Sequence, residues 1–310
     1  MSNAIQEQQP KAIVSGVLCI EFEVNDPYTI AQQIAAGCDC GLVRSEEPQG
    51  SMLLECGSVI LCLRPAHGNR QGVSGIEFGV MQPMGVSHLV DGISILGVRH
   101  SFRWVRSDSA PGMAPIHGVC VDHIAVCVAR GQLTDVVNEY RRSLGLECAQ
   151  GEYAMLKAEG GLSSVCLVSR DGKVMIPIVE ADGRENHVAA YVNERGDGGV
   201  QHVALRTGDI VGMCGRMAAA GVSFMRPRRK YYDDMHSCIH ALGYDVNELE
   251  RYGIVVDSDK RGRLLQTFTA PLAGDRGAFL EIVQRDGVGG FSSRNASALY
   301  DAAETHIRSH

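Results

Sequence analysis

The sequence predicts an α+β protein of four β-α-β-β-β-like modules in two pairs, each pair forming a curved, half-open sheet. Two observations carry this reading. The first is an internal echo: GVLCIEFEV at 16–24 returns as GVSGIEFGV at 72–80, and self-similarity at a fixed place marks duplicated units. The second is order. A strand-like run, a helix and several further strand-like runs follow one another in the first half, and the same grammar runs twice more after residue 117. Segregated runs of this kind favour sheets with helices packed to one side. Such a sheet has a concave face, and strand residues pointing into it can converge on a ligand.

The elements follow in order. Residues 16–24 read as a strand and 27–37 as a helix, followed by short strands near 39–44, 51–56 and 58–63. The pattern restarts at Gly72, continues through a helical stretch, and reaches a strand-like run from His100 to Val105. The segment Ser107–His117, SDSAPGMAPIH, is rich in Pro, Ser and Gly and reads as a linker. Beyond it come a strand at 117–129, a helix at 131–144 and strands near 152–157, 162–169 and 173–181. A helix at 185–194, a strand at 199–206 and a helix at 209–221 stopped by Gly221 come next. Residues 226–252 read as an irregular insertion, and its basic run Arg226, Arg228, Arg229 and Lys230 as a solvated loop. Strands at 253–256, 263–269 and 278–284 and a helix at about 294–307 close the chain. The division is therefore a polar lead-in at 1–15, an N-terminal domain at 16–106, a linker at 107–117 and a C-terminal domain at 118–310.

Composition narrows the function classes. The 310 residues carry a net charge of −7, 45% hydrophobic and 21% charged residues. That is ordinary for a globular protein with a sizeable core, and it offers neither a basic footprint for nucleic acid nor a polybasic membrane patch. No apolar run approaches the roughly 18 residues of a spanning helix, and the polar N-terminus lacks a signal-peptide core. The eleven cysteines are scattered through apolar strands, which fits buried thiols in a reducing cytoplasm better than a disulfide framework. Cys38 and Cys40 form a lone C-x-C, weak as a metal motif without a second pair. His236 and His240, four apart in the insertion, read as surface histidines.

The strongest chemical signal is a carboxylate, Glu281, inside the apolar strand at 278–284. A buried acid is costly unless it is compensated, and a metal ion is one compensation. His123 and His202 sit in the first strands of the third and fourth modules. Alternation places His123 with Val121, Ala125 and Cys127, His202 with Val200 and Ala204, and Glu281 with Phe279 and Val283. Each histidine alone could be a hydrogen-bonded core residue. Three polar residues at equivalent inward positions instead suggest two His and one carboxylate on one face of a metal. That set leaves open positions for a chelating substrate and oxygen on non-haem Fe(II), whereas zinc favours a more closed tetrahedron.

Four motifs, VDHIAVCV (121–128), GGVQHVALRTGDI (198–210), GIVVDSDKRGRLLQTFTAP (253–271) and FLEIVQRDGVGGFSSRN (279–295), resemble the 4-hydroxyphenylpyruvate dioxygenase and 4-hydroxymandelate synthase family. The likeness covers about residues 117–305, while the N-terminal half matches only in module pattern. It implies a vicinal-oxygen-chelate fold, a non-catalytic N-terminal domain, and Fe(II) on His123, His202 and Glu281. It implies O2-dependent oxidative decarboxylation of a 2-oxo acid, with 4-hydroxyphenylpyruvate as leading substrate and homogentisate as product. Benzylic hydroxylation, or a different 2-oxo acid, is the alternative. Ser164, Gln266 and Asn295 fall on family positions for substrate or metal-bound groups, and Phe268, Phe279 and Phe291 on pocket walls. Val179, Ala189 and Ala296 depart from the dioxygenase pattern, which has Asn, Gln and Phe there, whereas Pro177 keeps it. Aliphatic residues at Val179 and Ala296 are shared with the synthase type. Tyr231 and Tyr232 match a packing pair, and the helix after Asn295 matches a terminal gate. Ring-cleaving dioxygenases, glyoxalase-like isomerases and non-catalytic binding proteins share the fold and are the rival readings. Nothing in the residues marks an oligomer interface, and a homo-oligomer is left open.

Overall fold

A computed structural model describes residues 13–44, 50–67, 71–81, 92–105, 118–150, 157–158, 162–182, 185–272, 274 and 276–309. In chain order the first part gives β1 (Val14–Val24), α1 (Pro27–Cys38), β2 (Gly41–Arg44), β3 (Met52–Cys56), β4 (Val59–Pro65), β5 (Gly72–Met81), β6 (Ile93–Ile95) and β7 (Val98–Val105). The second part gives β8 (Cys120–Val128), α2 (Leu133–Leu144), β9 (Glu147–Cys148), β10 (Lys157–Ala158), β11 (Leu162–Val168), β12 (Met175–Ala181) and α3 (His187–Arg195). It continues with β13 (Gly199–Arg206), α4 (Ile210–Ala219), α5 (Arg229–Ala241), α6 (Val246–Arg251), β14 (Val255–Asp259), β15 (Gly262–Phe268), β16 (Phe279–Asp286) and α7 (Ser293–Ser309). The linker at 107–117, the lead-in up to residue 12, the helical stretch expected after Met81 and nearly all of the strand expected at 152–157 lie outside the described residues.

Two mixed sheets result. The first runs β2-β3-β4-β1-β5-β7-β6, and the second runs β10-β11-β12-β8-β13-β16-β15-β14 with β9 on β11. In each sheet the first strands of two modules lie side by side and antiparallel, β1 with β5 and β8 with β13. Each of these central strands then pairs in parallel with the last strand of its own module: β1 with β4, β5 with β7, β8 with β12 and β13 with β16. This duplicated α+β arrangement is the vicinal-oxygen-chelate fold. Alternation sorts β16 and the part of β8 that follows Asp122. Ile124, Val126, Val128, Leu280 and Ile282 enter the main core, which leaves residues 123, 125, 279 and 281 on the other face.

The two halves share one hydrophobic core cluster and also meet through polar and aromatic groups. Ser15 Oγ donates to Asp171 Oδ2, Arg195 Nη1 to the Gln71 carbonyl at 2.7 Å, and Arg216 Nη2 to the Gly37 carbonyl at 2.9 Å. His100 of β7 meets Tyr140 of α2, both fully buried.

Three expectations are corrected. Residues 226–252 are not irregular, because α5 and α6 occupy most of them. Tyr232 and Ile239, two turns apart, bury one face of α5, and Asp245 caps Asn247 at the start of α6. The basic run is not simply a solvated loop. Arg229 and Lys230 open α5 and pair with Asp233 and Asp234 four residues on, and Arg229 also meets Glu250. The cysteines are not all thiols, because Cys40 and Cys56 are joined as a disulfide. They stand sixteen residues apart and meet through the β2–β3 register, which is not visible as a motif. Nine cysteines remain free, most of them buried.

Candidate active site

His123, His202 and Glu281 come together on the inner face of the second sheet. Glu281 Oε2 lies 3.0 Å from His123 Nε2 and 3.3 Å from His202 Nε2. The register explains the meeting: Ala204 of the central strand β13 sits opposite His123 on one side and Glu281 on the other. A bulge in β13 aims His202. Val200 faces Val126 and His202 faces Ala125, so the extra residue Gln201 breaks the alternation. Val200 therefore joins Val203 and Leu205 in the main core instead of sharing the His202 face, as plain alternation predicted. Gln201 and His202 both reach the cavity.

Behind the three residues stands a layer of hydrogen bonds. His123 Nδ1 meets Asp122 Oδ1 at 2.8 Å. A carboxylate only accepts, so this bond keeps a proton on Nδ1, and Nε2, which faces Glu281, is the nitrogen that a cation could take once its own proton leaves. Asp122 is held by Arg285 through two bonds, Nε to Oδ2 at 2.7 Å and Nη2 to Oδ1 at 2.9 Å. On the other side Gln266 Nε2 donates to Glu281 Oε1 at 2.7 Å, and Asn295 Nδ2 donates to Gln266 Oε1 at 2.9 Å. The amide chain fixes Oε1, and Oε2 is the oxygen that faces both imidazoles. His202 Nδ1 is buried and has no hydrogen-bond partner among the described residues. Its ring is instead held by Phe279, stacked at 5.1 Å, and by Phe268 at 5.2 Å.

Electrostatics agree with this geometry. Burial disfavours charge on His123, but Glu281 and Asp122 outweigh it and raise its pKa to about 9. Burial also opposes the Glu281 carboxylate, and the two histidines overcome it and lower its pKa to about 2. Burial lowers the pKa of His202, with Glu281 opposing. Burial works against Asp122 as well, and its bonds to His123 and Arg285 hold its pKa well below the usual carboxylate range. The centre is thus a buried carboxylate stabilised by positive charge. Two imidazole nitrogens and a carboxylate oxygen fit a divalent cation that accepts mixed N,O ligation. Such a cation would take the place of the proton on His123.

The triad lies at one wall of a cavity of about 140 Å3. Its other walls come from β11, β12, α3 and α7, with Leu162, Pro177, Val179, Val188, Ala296 and Leu299 as apolar lining. Ser164, Gln266, Phe268 and Phe291 line it as well, and Phe291 meets the His123 ring edge-on at 5.0 Å. Asn295 stands behind Gln266 and is completely buried. Phe279 lies behind His202 and borders a small adjoining cavity of about 20 Å3. Ala189, on α3, packs against the apolar cluster around Tyr191. His187, Gln201 and Tyr300 also line the cavity, and the sequence reading passed over them. His187 opens α3 and lies 3.3 Å from Glu304 of α7. The Asn186 cap before it was the one sequence signal that could have placed it. His236 and His240 lie exposed on α5, away from the triad.

Residues 121–254 match the family model described as Glyoxalase/Bleomycin resistance protein/Dioxygenase superfamily. The matched stretch takes in His123 and His202 and ends before Glu281. Among relatives, 4-hydroxyphenylpyruvate dioxygenase of Tetrahymena thermophila is 31% identical over 193 residues, covering 59% of this chain and 48% of the relative. Protein MelA of Shewanella colwelliana is 33% identical over 186 residues, covering 59% and 53%. The chain thus spans about half the length of the curated relatives it matches. Among solved structures, a mutant of 4-hydroxymandelate synthase from Streptomyces coelicolor matches with a TM-score of 0.75 at 20% identity, covering 94% of this chain and 98% of that one. At that identity the likeness concerns the fold. Among the described residues no helix is long and apolar enough to cross a membrane.

Proposed function

We propose that this chain is an Fe(II)-dependent oxygenase that couples oxidative decarboxylation of an aryl-2-oxo acid to hydroxylation of the remaining arylacetate, using O2. The reference substrate is 4-hydroxyphenylpyruvate. The observation that carries the reading is the convergence of His123 Nε2, His202 Nε2 and Glu281 Oε2 at the wall of an apolar cavity. Ferrous iron at such a facial set supplies sites for a chelating 2-oxo acid and for dioxygen together.

The protein's residues do the rest. Asp122 and Arg285 keep His123 in the tautomer that can ligate. Asn295 orients the Gln266 amide, which in turn fixes the unshared oxygen of Glu281. Phe268 and Phe291 offer ring faces and edges to an aryl group. Ser164 and Gln266 are the polar groups on the wall suited to a 2-oxo acid head. Helix α7 covers the cavity through Ala296, Leu299 and Tyr300 and limits water.

Benzylic hydroxylation, giving 4-hydroxymandelate, is the second reading, and it is favoured by the aliphatic wall at Val179 and Ala296. The test is anaerobic loading with Fe(II) and 4-hydroxyphenylpyruvate, admission of O2, and mass spectrometry of the products. Homogentisate supports ring hydroxylation and 4-hydroxymandelate the benzylic course. Absence of CO2 release from every aryl-2-oxo acid tried would defeat both.

A further inference from the structure

A second group of three metal-binding side chains lies in the first half of the protein. Cys38 ends α1, Cys40 stands just before β2, and Cys56 ends β3. Their sulfur atoms all lie within 4.8 Å of one another. Three local features bring them together. Gly41 pairs with Glu55 in the β2–β3 ladder, so Cys40 and Cys56 fall opposite each other one step further along. Asp39 adopts the left-handed conformation, φ 52 and ψ 42, and turns the chain between Cys38 and Cys40. Arg216 of α4 ties down the end of α1 by donating to the Gly37 carbonyl at 2.9 Å. The lone C-x-C of the sequence thereby gains the third sulfur it lacked.

We propose that Cys38, Cys40 and Cys56 form a thiolate site for a borderline-soft divalent cation, zinc above all, open when the Cys40–Cys56 bond is reduced. Thiolates are the ligands that select zinc, and three of them leave one tetrahedral position for water. Cys40 is half-buried and gives that position access to solvent, whereas Cys38 and Cys56 are buried. A buried thiol ionises poorly alone, and a metal supplies the compensating charge. The Arg216 guanidinium acts on Cys38 electrostatically and offsets the negative charge that three thiolates and one dication leave over.

A small dithiol gives two electrons and two protons to the Cys40–Cys56 bond and departs as its own disulfide. The three thiols then lose one proton each to solvent as the cation binds. The site is far in sequence from His123, His202 and Glu281 and shares no ligand with them, so the two can be titrated separately. It also lies where α1 packs on α4, with the Gly37 backbone against Met217, so the redox state would be felt at the contact between the halves.

The test uses Co(II) as the probe on the whole protein, reduced with a dithiol and desalted under anaerobic conditions. Thiolate ligation gives intense sulfur-to-cobalt charge-transfer absorption in the near ultraviolet, which ligation by two histidines and a glutamate does not. The expected result is a band whose plateau corresponds to one sulfur-bound Co(II) and which is displaced by Zn(II), is missing from the oxidised protein and is lost in Cys38→Ser. No band in the reduced protein, or an undiminished band in Cys38→Ser, overturns the proposal. Should Cys38→Ser fail to fold, the reduced and oxidised wild-type proteins decide it, because equal bands in both overturn it too.

Discussion

Asp122 is the side chain that sets which nitrogen of His123 faces Glu281. It holds the proton of Nδ1 on the far side of the ring and is itself clamped by Arg285, with both side chains nearly closed to solvent at 3% and 4% exposure. Second-layer carboxylates of this kind change metal affinity by roughly 10–100-fold when altered. Asp122→Asn should therefore lower Fe(II) affinity by about that factor, measured by anaerobic titration of the folded protein. The same change leaves the Arg285 guanidinium without its anion, so folding stability should fall by about 3 kcal/mol, read by urea unfolding of the iron-free protein. An unchanged iron affinity would remove Asp122 from the site even if stability fell. His123, His202 and Glu281 were legible in the sequence because a polar residue inside an apolar strand is anomalous wherever it occurs. Asp122 and Arg285 were not. Their neighbours His123 and Gln284 point elsewhere by alternation, and the pair is joined across 163 residues. Nothing local distinguishes a buried, paired Asp from an exposed one.

At the scale of elements, α7 makes the cavity a closed place. Leu299 of α7 packs in one cluster with Phe268 and Phe279, the residues that also hold the His202 ring. Asn295 at the start of the helix bonds to the Leu264 carbonyl and to Gln266, and Asp301 pairs with Arg228. The helix is thus fastened by its first turn to β15, the strand of Gln266, and to α3 through Glu304. Leu299→Ala removes buried contacts at the middle of this seam, where Leu→Ala changes typically cost about 2–5 kcal/mol. Amide hydrogen exchange along α7 should accelerate, with β8 and β13 little affected. Equal acceleration in β8 would mean that the helix does not open as a separate unit. The helix α7 was expected from the sequence at about 294–307. The helices α5 and α6 were not read, because most of α5 is polar and only Tyr232 and Ile239 are buried. Its helical support comes from i,i+4 ion pairs and from packing that the sequence does not display.

At the scale of the whole molecule, the question is what couples the first sheet to the sheet that carries the triad. The Cys40–Cys56 bond and the packing of α1 on α4 escaped the sequence reading for one reason: both depend on register between segments with no motif of their own. His100 is the same kind of feature, a histidine read merely as the start of a strand. It is fully buried, with Nδ1 2.9 Å from the Val98 carbonyl and Nε2 3.2 Å from the Tyr140 hydroxyl across the contact between halves. The carbonyl only accepts, so Nδ1 carries the proton and Nε2 receives the Tyr140 O–H. Phe78 stacks on the ring at 6.0 Å and excludes water from it. Burial, partly opposed by the bond to Val98, lowers the pKa of His100 to about 4 from 6.5. The unfolded chain therefore binds this proton at a higher pH than the folded one. The stabilisation is whole above about pH 6.5 and is lost as pH falls through about 4, at up to about 1.4 kcal/mol per pH unit and about 3 kcal/mol in all. Carboxylates elsewhere titrate toward the acid end of this window, so the measurement is a difference. Urea unfolding of wild-type and His100→Gln proteins across pH 7 to 4 should show the wild type losing about 3 kcal/mol more than the variant. Parallel pH profiles would mean that this histidine is not held neutral in the folded protein.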